Sequence, residues 1–265
     1  MPDFKTADGQ TLFYKLAGEE EPSTPVVLLN GMTQTTRHWA SHVRVLRETR
    51  PVITYDARGQ GQSDPPREIP TLELHADDLA ALLDHLDIPQ ADLVGFSHGA
   101  RVALGFAEHH PRRVRRLVLC SATAEPTALA RTIVRSWQEI LRLGGLEALS
   151  WASLTSIVGP YFLTQNERLL KNIVKASVDR NNAEGVALLL EGLANFPELA
   201  DLAGKIHCPT LVISADSDPL VTTAGARELA RLCGGEHRLV EHCGHTIPIE
   251  EPEIFRDFVV EFLDQ

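Results

Sequence analysis

Short, continuous apolar runs alternate with longer amphipathic stretches along the sequence, and this alternation limits the possible folds more than any other feature. A run in which successive residues are apolar is typical of a strand covered on both faces of a sheet. Such runs lie at residues 12–16, 26–29, 52–55, 92–95, 117–120, 211–213 and 238–240. Between them, apolar residues recur every three or four positions, as in residues 71–87, which predicts helices. We therefore predict an α/β protein with a mostly parallel sheet flanked by helices.

Residues 124–203 break this rhythm. They contain no convincing strand, and apolar positions at helical spacing predict three or four helices, the first of which ends at Gly144 and Gly145. We therefore predict a core domain made of residues 1–123 and 204–265, into which residues 124–203 are inserted as a helical lid.

Charge and composition argue against several classes of partner. The net charge of −11 opposes unspecific binding to nucleic acid or to an anionic membrane. No apolar run approaches the roughly 18 residues that a membrane-spanning helix needs. The four cysteines form no C-x-x-C pair, which favours free thiols in a reducing compartment. We expect a cytoplasmic protein that binds a small molecule and needs no metal or other cofactor.

The most specific motif is G-x-S-x-G, formed by Gly95-Phe96-Ser97-His98-Gly99. It directly follows a predicted strand and opens a predicted helix. A strained turn in that position projects a serine hydroxyl clear of the backbone, and the helix behind it favours developing negative charge. The same string also occurs in ordinary turns, but the strand before it and the helix after it indicate that Ser97 is a nucleophile.

A serine hydroxyl needs a neighbouring base to take its proton. His245 is the candidate, because it follows the last predicted strand and a glycine, whereas the other histidines fit surface or core positions better. Asp216 and Asp218 follow the strand at residues 211–213, and either carboxylate is able to orient the imidazole. We favour Asp218, since Pro219 stiffens the loop behind it, and keep Asp216 as the alternative.

Two backbone N–H groups are expected to hold the negative oxygen that forms during attack, those of His98 and Met32. Met32 lies in the loop after the third predicted strand, where the Asn30 side chain is expected to tie the loop together. The loop after the fourth predicted strand has two spaced glycines but no G-K-[ST], which argues against phosphate binding. There we predict a tight structural loop in which Asp56 pairs with Arg58.

Aromatic side chains near the motif and in residues 124–203 are candidates for an apolar substrate pocket. We select Phe96, Trp137, Trp151, Tyr161 and Phe162. For the last four, ordinary packing within the lid is an equally good interpretation. Such a pocket suits a medium acyl chain or a small ring.

Together these motifs resemble the α/β-hydrolase family over nearly the whole chain, through residues 29–32, 56–63, 95–99, 218–219 and 244–245. The resemblance implies an eight-stranded, mostly parallel sheet with a helical lid after the sixth strand. Asn30, where many members have histidine, and Trp39 make the chain similar to the 3-oxoadipate enol-lactonases. The run Leu29–Thr36 is similar to acyltransferases that join hydroxyacyl chains carried on acyl carrier protein.

Three functions are compatible with these features. The first is hydrolysis of a carboxylic ester or lactone through an acyl-enzyme. The second is acyl transfer, or thioesterase action, on carrier-bound hydroxyacyl chains, for which acyl carrier protein is the partner and the basic cluster Arg112–Arg116 gains importance. The third is a ligand-binding protein or receptor that keeps a vestigial triad. The serine at the turn argues against dehalogenases and epoxide hydrolases, which use a carboxylate there.

Overall fold

The computed structural model describes residues 2–18 and 23–265; residue 1, with which the predicted core begins, lies outside them. Within this part of the chain, eight strands form one sheet. The strands are β1 (Asp3–Lys5), β2 (Thr11–Ala17), β3 (Val26–Leu29), β4 (Val52–Tyr55), β5 (Ala91–Phe96), β6 (Val114–Cys120), β7 (Thr210–Ala215) and β8 (Glu236–Val240).

The strand order across the sheet is β1-β2-β4-β3-β5-β6-β7-β8. β1 pairs antiparallel with β2, and β2 pairs antiparallel with β4, whereas all the other neighbours are parallel. The predicted fold class is therefore confirmed. The apolar runs did not reveal β1, because Phe4 is the one buried residue of this three-residue strand.

Helices cover both faces of the sheet and fill the connections between the strands. They are α1 (Ala40–Leu46), α2 (Leu72–His85), α3 (His98–His109), α4 (Ala128–Ile157), α5 (Pro160–Asn166), α6 (Leu170–Arg180), α7 (Ala183–Asn195), α8 (Leu199–Ala203), α9 (Thr223–Leu232), α10 (Ile247–Glu250) and α11 (Pro252–Leu263).

Strand side chains alternate between two apolar layers, which explains why the strand runs are largely apolar. Val27 and Leu29 of β3 belong to the layer under α2, α3 and α9, whereas Val26 and Leu28 belong to the layer under α1 and α11. Because successive side chains of a strand point to opposite faces, a strand covered on both sides needs apolar residues at most positions. Because β3 to β8 run parallel, their carboxyl ends all lie at one edge of the sheet, and the loops at that edge carry the polar motifs.

We call residues 124–203, which connect β6 to β7, the helical insertion. It contains α4 to α8, more helices than predicted, because the five-residue α8 is too short to give a periodic signal. The predicted helix end coincides with a break inside α4, where Gly145 has a φ of 73°. The insertion has a small apolar cluster of its own, made of Leu141, Leu149, Val186 and Leu190. In the described residues, no helix is long and apolar enough to cross a membrane.

Candidate active site

Ser97 occupies the sharp turn between β5 and α3. Its φ of 52° and ψ of −111° are unusual for a residue with a side chain. The turn is tight enough to require both flanking glycines. A Cβ atom on Gly95 would lie 2.4 Å from the Gly99 carbonyl oxygen, and one on Gly99 would lie 2.4 Å from the Leu29 carbonyl oxygen. The sequence G-x-S-x-G therefore packs the turn against its neighbours and leaves the serine hydroxyl pointing outward.

His245 and Asp218 complete a continuous chain of hydrogen bonds with Ser97. His245 Nε2 lies 2.8 Å from Ser97 Oγ, and His245 Nδ1 lies 2.7 Å from Asp218 Oδ2. The other Asp218 oxygen accepts the backbone N–H groups of Leu220 and Val221 at 2.8 and 3.1 Å. The carboxylate fixes the tautomer in which Nδ1 donates, so Nε2 is free to accept the serine proton.

Asp216, the alternative to Asp218, lies elsewhere in the same loop. Its side chain is exposed, and its Oδ1 accepts the backbone N–H of Cys243 at 3.3 Å and the Ser217 hydroxyl at 3.0 Å. Within the described part of the chain, it makes no hydrogen bond to His245. Asp216 thus shapes the loop that carries the histidine, while Asp218 contacts the ring itself.

Glu250, for which no sequence motif provided a signal, fixes the loop that carries His245. Its Oε2 accepts the N–H groups of Gly244 and Gly159 at 3.0 and 2.7 Å, and its Oε1 accepts the N–H and hydroxyl of Thr246 at 3.1 and 2.8 Å. Both neighbours of His245 are therefore tied to one carboxylate, which also binds the start of α5. The contact with Gly159 spans 91 residues, so no local pattern reveals it.

Ser121 is a second residue of the site that belongs to none of the sequence motifs. It directly follows β6, and its hydroxyl donates to the His245 carbonyl oxygen at 2.7 Å. Its φ of 55° is again rare for a residue other than glycine. Its position at the carboxyl end of a parallel strand is a signal that would have pointed to the site.

The backbone N–H groups of Met32 and His98 are available to a substrate. Both residues line the same cavity as Ser97, and among the described residues neither N–H has a hydrogen-bond acceptor. The His98 side chain lies behind the turn, 4.9 Å from the His75 ring between centroids. Burial lowers the pKa of His98 to about 4, so the imidazole is neutral at pH 7 and His98 offers the site its backbone rather than a charge.

Asn30 and Trp39 form a side-chain hydrogen bond beneath the loop that carries Met32. The Asn30 side-chain oxygen accepts the Trp39 indole N–H at 2.8 Å, and its side-chain nitrogen donates to the Tyr55 carbonyl at 2.8 Å. All three side chains are buried. The expected role of Asn30 in tying the loop together thus has a geometric basis: it joins the loop that carries Met32 to the end of β4.

The predicted pair of Asp56 with Arg58 is wrong. The Asp56 carboxylate turns inward and accepts the N–H groups of Thr36 and Gln62 at 2.6 and 3.0 Å. Arg58 instead forms a two-point ion pair with Asp78 of α2, at 2.7 and 2.6 Å. Because Asp56 satisfies buried backbone donors, the arginine takes a partner from the neighbouring helix.

A cavity of about 850 Å³ opens above Ser97 between the sheet-edge loops and the helical insertion. Of the predicted pocket residues, Phe96, Trp137 and Phe162 line it. Trp151 and Tyr161 do not, and their exposed fractions of 42% and 63% place them on the surface, which corrects the prediction.

The predictions for Trp151 and Tyr161 were wrong because these side chains lie on the outward-facing sides of α4 and α5. Leu149, two positions before Trp151 and therefore on the opposite side of α4, is the buried residue, while α5 buries none of its side chains. In the described residues, no group of three or more side chains is arranged to hold a metal ion.

Comparison with known proteins places this geometry among related chains. A family profile described as "alpha/beta hydrolase fold" matches residues 24–252. The chain is similar to 3-oxoadipate enol-lactonase 2 of Acinetobacter baylyi, with 26% identity over 97% of this chain and 94% of that protein. It is also similar to pyrrolizixenacetamide deacetylase of Xenorhabdus hominickii, with 30% identity over 87% of each chain.

Solved structures give the same result. The crystal structure of the enol-lactonase from Burkholderia xenovorans LB400 superposes with a TM-score of 0.91 and 28% identity, and the match covers all of both chains. The likeness therefore includes the helical insertion as well as the sheet.

Proposed function

This chain belongs to the α/β-hydrolase fold family and is a hydrolase; we propose that it cleaves a small or medium carboxylic ester or lactone through an acyl-enzyme on Ser97. The observation that carries the proposal is the unbroken series of hydrogen bonds from Ser97 Oγ through the imidazole of His245 to Asp218. The names of two similar proteins, both enol-lactonases, support a lactone or ester substrate.

In the proposed reaction, Ser97 Oγ attacks the carbonyl carbon while its proton passes to His245 Nε2. The carbonyl oxygen becomes negative and accepts the N–H groups of Met32 and His98. Collapse of this intermediate breaks the carbon–oxygen bond, and His245 returns the proton to the leaving oxygen. Water then repeats the same steps on the acyl-enzyme, activated by the same base, and releases the acid.

Asp218 acts through His245. The charge on the imidazole that forms during attack lies next to a carboxylate whose side chain is fully buried, and water screens that attraction little. In a lactone, the leaving oxygen stays attached to the acyl group, so the acyl-enzyme carries a hydroxyl until water releases a hydroxy acid.

We assign substrate selection to the helical insertion, acting as a lid on a core of residues 1–123 and 204–265. It supplies Trp137 and Phe162 to the cavity, together with much of the remaining lining. The arginine cluster gives transfer from a carrier protein no specific support, because Arg113 and Arg115 pair with Asp84 and Asp92. We also propose a reducing compartment such as the cytoplasm, since all four cysteines are unpaired thiols.

A fluorophosphonate probe tests the proposal. It should label the wild-type protein on Ser97 and leave Ser97→Ala unlabelled, while Ser136→Ala, which removes an exposed hydroxyl of α4, should label like wild type. Rates on nitrophenyl esters of increasing acyl length, with lactones alongside, then define the substrate. Equal labelling of wild type and Ser97→Ala would overturn the proposal, and labelling without turnover on the whole panel would favour a binding protein with a vestigial triad.

A further inference from the structure

Arg101 has no task in the mechanism above, yet it lies beside the nucleophile. It follows Ser97 by one turn of α3, and its backbone N–H donates to the Ser97 carbonyl at 3.2 Å. Residues four apart on a helix share a face, and both side chains line the same cavity. Since side chains of a helix lean toward its N-terminus, the Arg101 side chain leans toward the Ser97 end of α3.

The other arginines of the cavity wall mostly have counter-ions. Arg135 pairs with Glu139 at 3.0 Å, and Arg131 lies 3.7 Å from Glu198. Among residues 2–18 and 23–265, by contrast, no carboxylate lies within 4.0 Å of the Arg101 guanidinium and no hydrogen bond engages it. Arg180, at the end of α6 in the helical insertion, likewise has no ion pair within that part of the chain.

The surroundings of Arg101 disfavour the charged form of its guanidinium, because they remove it partly from water. Burial lowers the pKa of Arg101, and Glu198 opposes that effect from a distance. An arginine nevertheless stays protonated near neutral pH, so a positive charge with five donors faces a largely apolar cavity and, in the described part of the chain, has no partner. A half-buried charge of this kind is stabilised when a bound group supplies the opposite charge. In a chain with a net charge of −11, cavity arginines that lack a carboxylate partner among the described residues indicate selection of an anion rather than a general surface property.

We propose that Arg101 recognises a carboxylate on the acyl part of the substrate, so that the enzyme prefers esters or lactones of dicarboxylic acids. The guanidinium presents a planar pair of N–H groups that matches a carboxylate. Anchored there, the far end of the acyl chain places the ester carbonyl at Ser97, and binding at one end orients the other. The inference rests on the proposed function and narrows it to a substrate class.

The distance between the Ser97 hydroxyl and the Arg101 guanidinium sets the preferred chain length of the dicarboxylic acid. Side chains four apart on a helix have Cβ atoms about 5–6 Å from each other, and the arginine side chain adds its own reach. A series of monomethyl esters of diacids from succinate to suberate therefore brackets the distance. Each is matched by the neutral methyl ester of the monoacid with the same number of acyl carbons.

The experiment compares kcat/KM for each charged and neutral pair, with hydrolysis followed by liquid chromatography. In wild type, we expect the charged ester to be favoured by about 10- to 100-fold at the best length, the effect of a hydrogen bond to a charged group. Arg101→Met should reduce that ratio to near one, and Arg101→Lys should keep part of it. Arg142→Met, which removes an exposed arginine of the insertion, should leave the ratio at its wild-type value.

Two results would overturn the inference. One is a wild-type enzyme that hydrolyses neutral esters with no preference for the charged ones, a result that needs no folded variant. The other is loss of the preference in Arg180→Met but not in Arg101→Met, which would move the recognition to the insertion. Failure of the proposed function is distinguishable, because it would show as no hydrolysis of any ester and no labelling of Ser97.

Discussion

The sheet-edge loops and the helical insertion face each other across the cavity but are built differently. At the sheet edge, the two carboxylates that position His245 and its loop each accept several hydrogen bonds. Asp218 accepts three and Glu250 accepts four. The insertion carries five of the nine exposed large apolar side chains of the described residues, namely Leu129, Leu143, Trp151, Tyr161 and Leu169.

This difference separates two tasks. Chemistry that depends on distances of about 3 Å requires side chains that are fixed from several directions, and the sheet edge supplies them. Selection of an acyl group needs volume and apolar surface, and we propose that the helices of the insertion, which line much of the cavity, supply them. Changes at the sheet edge should therefore affect turnover for every substrate, whereas changes in the insertion should alter the order of preference among substrates.

The largest expected effect tests the sheet edge. Asp218→Asn replaces the acceptor of the His245 Nδ1 proton by a group that donates, which favours the wrong tautomer and should lower kcat by on the order of 10⁴-fold. Asp216→Asn is the matched control two residues away and should lower kcat less than tenfold. Steady-state kinetics on one activated ester decides this, and equal losses in the two variants would contradict the assignment of Asp218.

Glu250→Gln should show how far the position of His245 depends on the hydrogen bonds from Gly244 and Thr246 to the Glu250 carboxylate. The amide nitrogen would face backbone N–H groups that need an acceptor, and each buried donor left without one costs about 1–3 kcal/mol. We expect a lower melting temperature and a kcat reduced by roughly tenfold or more, because Gly244 and Thr246 flank His245. Glu251→Gln serves as control, since in the described residues its carboxylate makes no hydrogen bond; a kcat unchanged in Glu250→Gln would argue against that dependence.

Protonation of histidines at acid pH should destabilise the core rather than the helical insertion, because all eleven histidines lie outside residues 124–203. Burial lowers the pKa of His42 and of His98 to about 4. Between about pH 6.5 and 4 the unfolded chain binds protons that the folded chain does not, so the free energy of unfolding falls as the pH falls through that range. Each of the two histidines should account for about 2 kcal/mol at pH 5.

Urea denaturation at pH 7.5 and pH 5.0 measures this loss. In His42→Gln the difference between the two pH values should shrink by about 2 kcal/mol relative to wild type. Parallel pH dependences in wild type and variant would show that His42 is not responsible.

The smallest effect tests the insertion with a matched pair of tryptophans on α4. Trp137 lines the cavity, whereas Trp151 is exposed. Trp137→Ala should change kcat/KM for long acyl chains by about three- to tenfold relative to short ones, because it removes apolar contact from one wall. Trp151→Ala should leave the profile flat, and its free energy of unfolding should change by at most about 0.5 kcal/mol. Identical profiles for both variants would remove the distinction between the two faces of α4.

Local patterns that have a single physical explanation predicted the structure correctly. Continuous apolar runs predicted the strands from β2 to β8, and the glycines around Ser97 predicted a turn that tolerates no Cβ atom at two places. A side chain with several nearby candidate partners is harder to predict from the sequence. Arg58 has Asp56 two residues away but pairs with Asp78, because Asp56 is engaged by backbone donors.

The class of fold, the order of the elements and the loops that meet at one sheet edge follow from the sequence alone, because strand runs and turn motifs are local and parallel strands all end on the same side. Tertiary packing brings Asp218 rather than Asp216 against His245, ties Glu250 to both neighbours of the histidine, turns Trp151 outward and, within residues 2–18 and 23–265, leaves Arg101 without an ion pair in the cavity. These outcomes depend on the direction of single side chains and on contacts between residues far apart along the chain. No local pattern encodes them, since each depends on where the rest of the fold places its partners.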